Sequence, residues 1–432
     1  MKYVIVGNSA AAVGCINGIR KVDKEGEITV ITYEKEGCYS KPMIADILVD
    51  LPEEKLIYKG KKFFEQKNVR VLLGTKAIKI DPEKKEVVLD TGIAENYNKL
   101  LISTGAKPFV PPIKGSEKEG VFTFTELSKA KAAKEYITKN GIKDVVVIGS
   151  GFIGLEVAYF LRKKGINVYV VELLNKVLGK ALDNRGSEIV EKIMRDIGIN
   201  FFFEDTVEEI LGNEKVESVK LKSGKIINAE MVIVAIGVRP NTELAQTAGI
   251  KVNRGIDTNL FMETSIPDIY AAGDCVENID ITDGTKKNLP LFPLAFEQGL
   301  VAGLNMAGKK MKYLGGLPLN SLKFLEEVPV LNAGIVEPPD STYEVLVNDR
   351  FEKRGYYRKA IIKDNRLVGF VAIGEIDRVG ILTGIIRQKL DVSTFKEKLV
   401  DIDFGLVHLP KSWREARIQQ DKTGYNDWRP EE

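Results

Sequence analysis

The fold class is decided by residues 144–172, DVVVIGSGFIGLEVAYFLRKKGINVYVVE. An apolar, β-branched strand leads into Gly149, Gly151 and Gly154 in G-x-G-x-x-G spacing, and a helix and a second strand follow. The first glycine turns the chain, the second lets the backbone approach a pyrophosphate, and the third lets the helix pack on the strand. Glu172 ends the second strand, where a carboxylate accepts hydrogen bonds from both ribose hydroxyls of NADH and repels a 2′-phosphate. This stretch therefore predicts a Rossmann-type domain that prefers NADH to NADPH.

A weaker copy of the same pattern opens the chain. The apolar strand Lys2–Val6 is followed by a glycine turn and a helix of small residues, GNSAAAVGCINGIR. Gly7 holds the first glycine position, while Ser9 and Ala12 replace the second and third. A pyrophosphate can still rest on the N–H groups at the start of the helix. Glu34 follows the predicted strand EITVITY, near the place of a ribose-binding acid. A purely structural turn remains the alternative for this copy taken alone.

Composition excludes several functional classes. The 432 residues are 44% hydrophobic, and 63 basic against 61 acidic residues leave a net charge of +2, so the charge favours neither nucleic acid nor an anionic membrane. The N-terminus has no signal-peptide pattern and no long apolar run follows, which predicts a cytoplasmic protein without a membrane span. The three cysteines are too far apart for a metal cluster. The single histidine, His408, leaves almost the whole chain without the commonest general base.

Two dinucleotide units in one chain suggest hydride transfer between a nicotinamide and a flavin. With four further segments, the chain resembles the pyridine nucleotide-disulfide oxidoreductase superfamily, in its branch of NADH oxidases, coenzyme A disulfide reductases, rubredoxin reductases and nitrite reductase flavin domains. The segments are LLISTGAKPFVPP (100–112), VIVAIGVRPNTELA (232–245), IPDIYAAGDC (266–275) and LPLFPLAFEQGLVAGLNMAG (289–308). The resemblance covers about residues 1–395 and implies an α/β fold. An FAD domain (1–113 and 240–312) would be interrupted by an NAD domain (114–239), with a C-terminal α/β interface domain (313–400) and a tail (401–432) after it.

The resemblance also implies the cofactor contacts, with no metal among them. The predicted FAD contacts are Gly7, Ser9, Ala10, Ala11, Glu34, Lys41, Pro42, Thr104, Gly105, Gly273, Asp274, Ala295 and Gln298. The predicted NAD contacts are Gly149, Gly151, Phe152, Ile153, Gly154, Glu172 and Gly237. Asp274 would accept hydrogen bonds from the ribityl chain. Glu156 occupies a position that in relatives lies near nicotinamide and flavin, where a buried carboxylate can tune the site. Ordinary packing or surface roles remain open for Lys41, Glu156, Gly237, Ala295 and Gln298.

The electron acceptor depends on the segment EGCYSKPMIADILVDLP, residues 36–52. In disulfide-reducing relatives the corresponding helix starts with a redox cysteine, which makes Cys38 a candidate. Aligning residues 39–42 with the Y-S-K-P or Y-x-R-P motif of rubredoxin reductase-like members instead places the redox position near Pro42, one turn beyond Cys38. Cys15 is expected in the core, and Cys275 is expected at a helix start, where a thiolate could be stabilised.

Three functions therefore remain open. The first is NADH-dependent reduction, through FAD, of a rubredoxin- or ferredoxin-type carrier, or of the iron–sulfur subunits of a 2-oxoacid or aldehyde oxidoreductase complex, in either direction. The second is a Cys38-dependent NADH oxidase or coenzyme A disulfide reductase. The third is a flavin protein whose reduction alters its binding. The tail, with aromatic and arginine side chains typical of interfaces, would dock a partner or pack on its own domain. The resemblance also implies a homodimer.

Overall fold

The structure, a computed structural model, describes residues 1–322 and 328–415. It divides into two compact units, of which the first comprises Met1–Gly179 and Ser187–Pro318 and the second Lys180–Gly186 and the chain from Leu319. The α-helices are α1 (Ala10–Val22), α2 (Glu53–Leu56), α3 (Lys61–Gln66), α4 (Leu127–Asn140), α5 (Phe152–Lys163), α6 (Asn184–Asp196), α7 (Glu243–Thr247), α8 (Phe292–Met306), α9 (Phe351–Arg354) and α10 (Gly380–Arg387). The 3₁₀ helices are Lys41–Val49, Lys396–Val400 and Leu406–His408. Among the described residues, no helix is long and apolar enough to cross a membrane.

The first unit contains a parallel sheet whose strands come from distant parts of the sequence. Its order is Ile269–Ala271, Lys99–Ile102, Lys2–Val6, Glu27–Ile31 and Val69–Leu72. In Lys2–Val6 all residues but the first are buried, as is typical of a parallel strand covered on both faces. The loop after this strand leads directly into α1.

A second parallel sheet of the same unit repeats this arrangement. Its order is Val121–Phe122, Met231–Val234, Asp144–Ile148, Asn167–Val171 and Ile199–Phe202. Val6 pairs with Ile31 at the end of the first glycine strand, as Ile148 pairs with Val171 at the end of the second. All strands of this sheet lie in sequence between two neighbouring strands of the first. The predicted α/β class, with one Rossmann-like domain interrupting another, is confirmed, whereas the predicted domain boundaries stay predictions.

Short antiparallel sheets complete the first unit. The chain leaves and re-enters the interrupted domain through a pair of strands, Ala106–Pro108 and Val238–Pro240. The others are Cys38–Tyr39 with Ile57–Lys59; Ala77–Asp81 with Glu86–Leu89 and Ala94–Asn96; Val207–Leu211 with Ser218–Leu221 and Ile226–Asn228; and Asn278–Ile279 with Lys286–Lys287.

Helices α1 and α8 pack against each other almost backbone to backbone. A Cβ atom placed on Gly299 of α8 would lie 1.9 Å from the carbonyl oxygen of Ala11, and one on Gly303 would lie 2.2 Å from that of Cys15. The reverse holds for Gly14 of α1, where a Cβ would lie 2.2 Å from a carbonyl oxygen of α8. Side chains larger than hydrogen at these positions would force the two helices apart.

The second unit is built on an antiparallel sheet of order Leu319–Leu322, Val330–Gly334, Arg366–Ile373, Tyr357–Lys363 and Glu344–Asp349, with α10 packed on Arg366–Ile373. Asp183, from the short segment that this unit takes from the middle of the chain, is buried and pairs with buried Lys359 (Oδ2 to Nζ, 3.0 Å). The hydroxyl of Tyr357 donates to the same carboxylate at 2.6 Å. The second unit is therefore an α/β unit whose C-terminal part begins at Leu319. The predicted interface domain from residue 313 to residue 400 stays a prediction.

The predicted docking tail, 401–432, is described only as far as residue 415. Trp413 donates a hydrogen bond from Nε1 to Oε1 of Gln388 at 2.6 Å, within the second unit. The other side chains on which the docking prediction rests, apart from Arg414, lie outside the described residues; they are Arg417, Tyr425, Trp428 and Arg429.

The close packing of α1 on α8 predicts that Gly299→Ala destabilises the protein. The new methyl group would meet a backbone oxygen, which cannot move like a flexible side chain, so we expect the free energy of unfolding to fall by about 1–3 kcal/mol. Denaturant unfolding measures the change. Gly384→Ala is the matched control, because Gly384 lies in α10 with no atom near its Cβ position, and alanine there should be neutral or stabilising by up to about 1 kcal/mol. Equal effects of the two substitutions would contradict the prediction.

Candidate active site

The loop after the first strand of the interrupted domain has the geometry of an anion site. Gly7 has a φ of +112°, and a Cβ there would lie 2.1 Å from the carbonyl oxygen of Ser103, so the turn requires glycine. Ser9 is the N-cap of α1, but its side chain makes no capping bond and the first turn carries no acidic residue. Ala10 and Ala11 follow and are buried. The first N–H groups of α1 are therefore without a side-chain cap, as a pyrophosphate requires.

The corresponding loop of the inserted domain is built in the same way. Gly149 has a φ of +101° and its N–H donates to Val171 O at 2.8 Å. Gly151 is the N-cap of α5, with open space around its Cβ position, and Phe152 and Ile153 form the first turn of the helix. A Cβ on Gly154 would lie 2.1 Å from the carbonyl oxygen of Gly149, so this glycine packs the helix on the loop.

The residue that follows the second strand distinguishes the two loops. In the inserted domain it is Glu172, whose carboxylate accepts from the N–H and the hydroxyl of Ser150, both at 2.8 Å, and from Leu174 N–H at 2.9 Å. In the interrupted domain the counterpart of Glu172 is Thr32, because the strand ends at Ile31. Glu34 lies two residues further along. Glu34 therefore does not occupy the position that corresponds to Glu172, and its role as the ribose-binding acid stays a prediction.

Asn8 is the counterpart of Ser150, and its side chain lacks a partner. Both its amide nitrogen and its amide oxygen are buried, and neither makes a hydrogen bond to any described residue. A buried amide without partners is unfavourable, so such groups are normally satisfied. Asn8 therefore marks a place where a polar ligand completes the loop.

The second FAD segment meets the first at α8. The N–H of Gly273 donates to Oε1 of buried Gln298 at 2.7 Å, and the Cβ atoms of Ala11 and Ala295 lie 3.3 and 3.7 Å from the Cβ position of Gly273. The neighbouring carboxyl of Asp274 is largely buried, which raises its pKa to about 6, although the Lys41 ammonium acts in the opposite direction. Within the described residues, nothing donates a hydrogen bond to this carboxylate.

Lys41 and Glu34, both predicted FAD contacts, form an ion pair. Nζ of Lys41 lies 3.1 Å from Oε1 of Glu34 and 3.2 Å from the hydroxyl of buried Tyr39, which itself donates to Glu34. Pro42 follows at the start of the 3₁₀ helix Lys41–Val49. Glu34 thus has protein partners on its carboxylate, unlike Asp274.

Three predicted contacts lie where the chain passes between the two domains. The hydroxyl of Thr104 donates to Asn241 O at 2.6 Å, so it is engaged within the protein. Gly105 and Gly237 both have positive φ and open space around the Cβ position. Phe109 N–H donates to Gly237 O at 2.9 Å, which fixes that turn.

The cysteines are buried. Burial raises the pKa of Cys38 to about 12, despite Lys59 N–H and the Lys41 charge, and raises that of Cys275 to about 11. Cys38 lies in a short strand ahead of the 3₁₀ helix. The expectation that Cys275 begins a helix is wrong: it lies in a turn, and α8 begins only at Phe292. The strand that enters this segment ends at Ala271, and the tight turn allowed by Gly273 leaves no helix for Cys275 to cap.

Glu156 lies on α5 where that helix packs against the 3₁₀ helix Lys41–Val49. Burial raises its pKa to about 8, and the charge of Asp46 on the 3₁₀ helix raises it further. The expectation of a largely buried carboxylate at this position agrees with the geometry, but the sequence reasoning did not identify Asp46.

The residues present fit FAD and a nicotinamide dinucleotide. Among the described residues, the side chains of Asn8 and Asp274 have no hydrogen-bond partner, and the Cβ positions of Gly105 and Gly151 face open space where a cofactor can approach. Asn8, Thr32 and Asp46 were missed from sequence. A signal for Asn8 was available, since it stands inside a degenerate glycine loop. Among the described residues, no group of side chains could hold a metal ion.

Comparison with known proteins agrees with this geometry. A family profile described as pyridine nucleotide-disulphide oxidoreductase matches residues 1–299, and one described as rubredoxin NAD⁺ reductase C-terminal domain matches 318–390. An NADH oxidase of Methanocaldococcus jannaschii is 40% identical over 72% of this chain and 71% of its own. The NADH-dependent phenylglyoxylate dehydrogenase subunit epsilon of Aromatoleum evansii is 29% identical over 96% and 98%. The solved NAD-dependent persulfide reductase of A. fulgidus superposes with a TM-score of 0.85 and 28% identity over 98% of this chain and 84% of that one.

Asn8→Leu should separate cofactor binding from stability. Removing two buried polar atoms without partners should leave the apoprotein as stable or more stable, whereas FAD should bind about tenfold more weakly because a hydrogen bond is lost. Thermal unfolding of the apoprotein and the fluorescence of released FAD measure the two effects. Asn332→Leu, which removes another buried amide from the second unit, should leave FAD affinity unchanged. Unaltered FAD affinity in Asn8→Leu would show that Asn8 does not contact the cofactor.

Proposed function

Because this chain belongs to the pyridine nucleotide-disulphide oxidoreductase family and is an FAD-dependent NAD(P)H oxidoreductase, we propose that it passes electrons from NADH to a one-electron protein carrier. The carrier is of rubredoxin or ferredoxin type, or an iron–sulfur partner in a larger oxidoreductase complex. FAD, when bound, accepts a hydride and releases its electrons one or two at a time. The residues of the protein have to bind both cofactors, exclude water from them and set the charge of the side chains around them.

The single observation that carries this proposal is the state of the cysteines. A thiolate, rather than a thiol, performs disulfide chemistry, and at neutral pH a thiol with a pKa of about 12 stays protonated. Cys38 is fully buried and precedes the 3₁₀ helix, which begins at Lys41 and has Pro42 in its first turn. With Cys38 buried and protonated, the acceptor for the electrons that bound FAD would supply is proposed to lie outside this chain.

Two similarities favour a protein acceptor. The C-terminal region, residues 318–390, is similar to the domain described as rubredoxin NAD⁺ reductase C-terminal. The Aromatoleum evansii relative, similar over nearly the whole length of both chains, is named as a subunit of a dehydrogenase, and phenylglyoxylate is a 2-oxoacid. Together they support a reductase that works with a redox partner, either alone or as a flavin subunit.

The preference for NADH follows from Glu172. Three donors hold its carboxylate at the end of the strand, so its negative charge stays where a 2′-phosphate would lie. The adjoining residues, Leu173, Leu174 and Asn175, provide no arginine to pair with that phosphate. Glu172 is therefore the residue that discriminates against NADPH.

A second candidate is a cysteine-dependent persulfide or coenzyme A disulfide reductase. It is favoured by the similarity to the persulfide reductase of A. fulgidus, and it requires Cys38 to become exposed and ionised. The burial of Cys38 in a strand paired with Ile57–Lys59 opposes this reading.

An anaerobic titration with NADH distinguishes the two functions. If FAD is the only redox centre, one NADH per FAD bleaches the flavin absorbance fully in both the wild type and Cys38→Ser. Cys15→Ser serves as the control for replacing a different buried thiol. A second equivalent taken up by the wild type, with a long-wavelength thiolate–flavin band that Cys38→Ser lacks, would replace the leading proposal with the second candidate.

Replacing Glu172 tests the cofactor preference. Glu172→Gln keeps an acceptor for Ser150 but removes the charge, so the ratio of kcat/KM for NADH to that for NADPH should fall by about tenfold or more. Steady-state kinetics with a dye acceptor give this ratio. Glu204→Gln, at an exposed position whose N–H bonds Leu174 O, is the control and should leave the ratio unchanged. An unchanged ratio in Glu172→Gln would mean that another group excludes NADPH.

A further inference from the structure

Glu156 is a largely buried carboxyl, and the one charged side chain that affects its pKa within the described residues is acidic. Glu156 lies one helical turn beyond Phe152 and Ile153, on the helix that starts at the nicotinamide dinucleotide loop. Within the described residues it makes no hydrogen bond or ion pair. Its charged neighbour is Asp46, which projects from the 3₁₀ helix Lys41–Val49 packed against α5.

The other charged groups around α5 are engaged elsewhere. Asp144, on the neighbouring strand, accepts from Asn167 Nδ2 at 3.1 Å and from the Tyr169 hydroxyl at 3.2 Å. Lys41, on the same 3₁₀ helix as Asp46, pairs with Glu34 and acts on Asp274. The cations at the end of α5 have partners of their own: Arg162 donates to Ile197 O, Lys163 lies over the ring of Tyr159, and Lys164 pairs with Asp50.

Burial of Glu156 and the nearby charge of Asp46 both disfavour ionisation of the Glu156 carboxyl, so Glu156 keeps its proton to higher pH than a solvated glutamate does. The 3₁₀ helix that carries Asp46 begins at Lys41, whose charge acts on Asp274 of the FAD segment. Asp46 and Glu156 thus lie on two helices that pack against each other: the 3₁₀ helix Lys41–Val49, which begins at Lys41, and α5, which begins at the NAD loop.

The proposed function releases one proton for each NADH that is oxidised. NADH gives up a hydride, which is two electrons and one proton, and two one-electron carriers take only the electrons. The balanced reaction is NADH + 2 carrier(oxidised) → NAD⁺ + 2 carrier(reduced) + H⁺. With one histidine in the chain, at position 408, a carboxyl is the natural acid–base group for this proton.

We propose that Glu156, with Asp46 as its partner, is the proton-exchanging group of this reaction: it accepts the proton when NADH reduces the carrier and returns it when the carrier reduces NAD⁺. This inference rests on the proposed one-electron function. Asp46 is a positioning residue, which acts through Glu156 by keeping its proton affinity high.

The pH dependence has opposite signs in the two directions. Because the pKa of Glu156 is raised to about 8, the group is mainly protonated at neutral pH. Transfer of electrons from the NADH-reduced enzyme to a carrier needs the ionised form, so its rate should rise with pH and level off above about pH 8. Reduction of the enzyme by a one-electron donor needs the protonated form, so its rate should fall over the same range.

The experiment follows the two half-reactions of the holoenzyme separately by stopped-flow absorbance, with NADH as reductant and ferricyanide as the one-electron oxidant. Glu156→Gln should slow reoxidation by about 100-fold and abolish its pH dependence, with the hydride step from NADH retained. Asp46→Asn should move the pH midpoint of reoxidation downwards. Glu135→Gln, at an exposed site on α4, should behave as the wild type.

A second readout does not depend on activity. In the apoprotein, infrared spectroscopy should show a protonated carboxyl band that titrates near pH 8, is missing in Glu156→Gln and shifts to lower pH in Asp46→Asn. A wild-type pH profile in Glu156→Gln, or an infrared band that survives this substitution, would overturn the inference. Slow reoxidation by ferricyanide in every variant, the wild type included, would instead overturn the proposed one-electron function, and the infrared band would still decide the role of Glu156.

Discussion

The near-contact of α1 with α8 is the constraint on which the first unit depends. These helices are separated in sequence by the whole inserted domain, yet backbone oxygens of each occupy the space that side chains on the other would fill, at Gly14, Gly299 and Gly303. Such close packing fixes how the two helices are aligned, because each glycine has to lie opposite a backbone oxygen of the other helix. It places Gln298 against the N–H of Gly273, and so joins the second FAD segment to the first. An insertion of more than one hundred residues is tolerated because its two connecting strands pair with each other and let α8 return to α1.

The two dinucleotide loops differ in how their polar groups are satisfied, and this difference bears on how each cofactor is held. The NAD loop is complete without ligand, because Ser150 and Leu174 already bond the Glu172 carboxylate. The FAD loop is incomplete, since neither the amide of Asn8 nor the carboxylate of Asp274 has a hydrogen-bond partner in the part of the chain that the structure describes. A buried polar group without a partner is unfavourable by about 1–3 kcal/mol, so a ligand that bonds the Asn8 amide adds stability as well as affinity. A loop completed by its ligand suits a resident cofactor, and a preformed loop suits one that exchanges in every turnover.

Much of this arrangement could be predicted from the sequence, because periodicity and glycine spacing report local geometry. The strand, loop and helix around Gly149 agree with the prediction, and Glu172 stands at the end of its strand. The offset of Glu34 could not be predicted, since the strand expected to reach Tyr33 ends at Ile31, and strand ends are set by pairing with neighbours. Asp46 was missed because its helix is 3₁₀, whose three-residue turn does not follow the α-helical pattern that sequence reasoning tests. The glycines of α1 and α8 recur four residues apart, a signal of close helix packing that was present in the sequence and not used.

Charged side chains of one short helix, Lys41–Val49, act with opposite sign on two largely buried carboxyl groups. Burial is the main cause that raises the pKa of both Asp274 and Glu156, and a charged side chain of the helix Lys41–Val49 contributes to each with opposite sign. Lys41, at its start, offsets part of the effect for Asp274, whose pKa of about 6 leaves it mainly ionised at neutral pH and able only to accept hydrogen bonds. Asp46, further along, adds to the effect for Glu156, whose pKa of about 8 leaves it mainly protonated and able to donate. The helix therefore acts on both carboxyl groups through its charged side chains, with the Lys41 ammonium affecting Asp274 and the Asp46 carboxylate affecting Glu156.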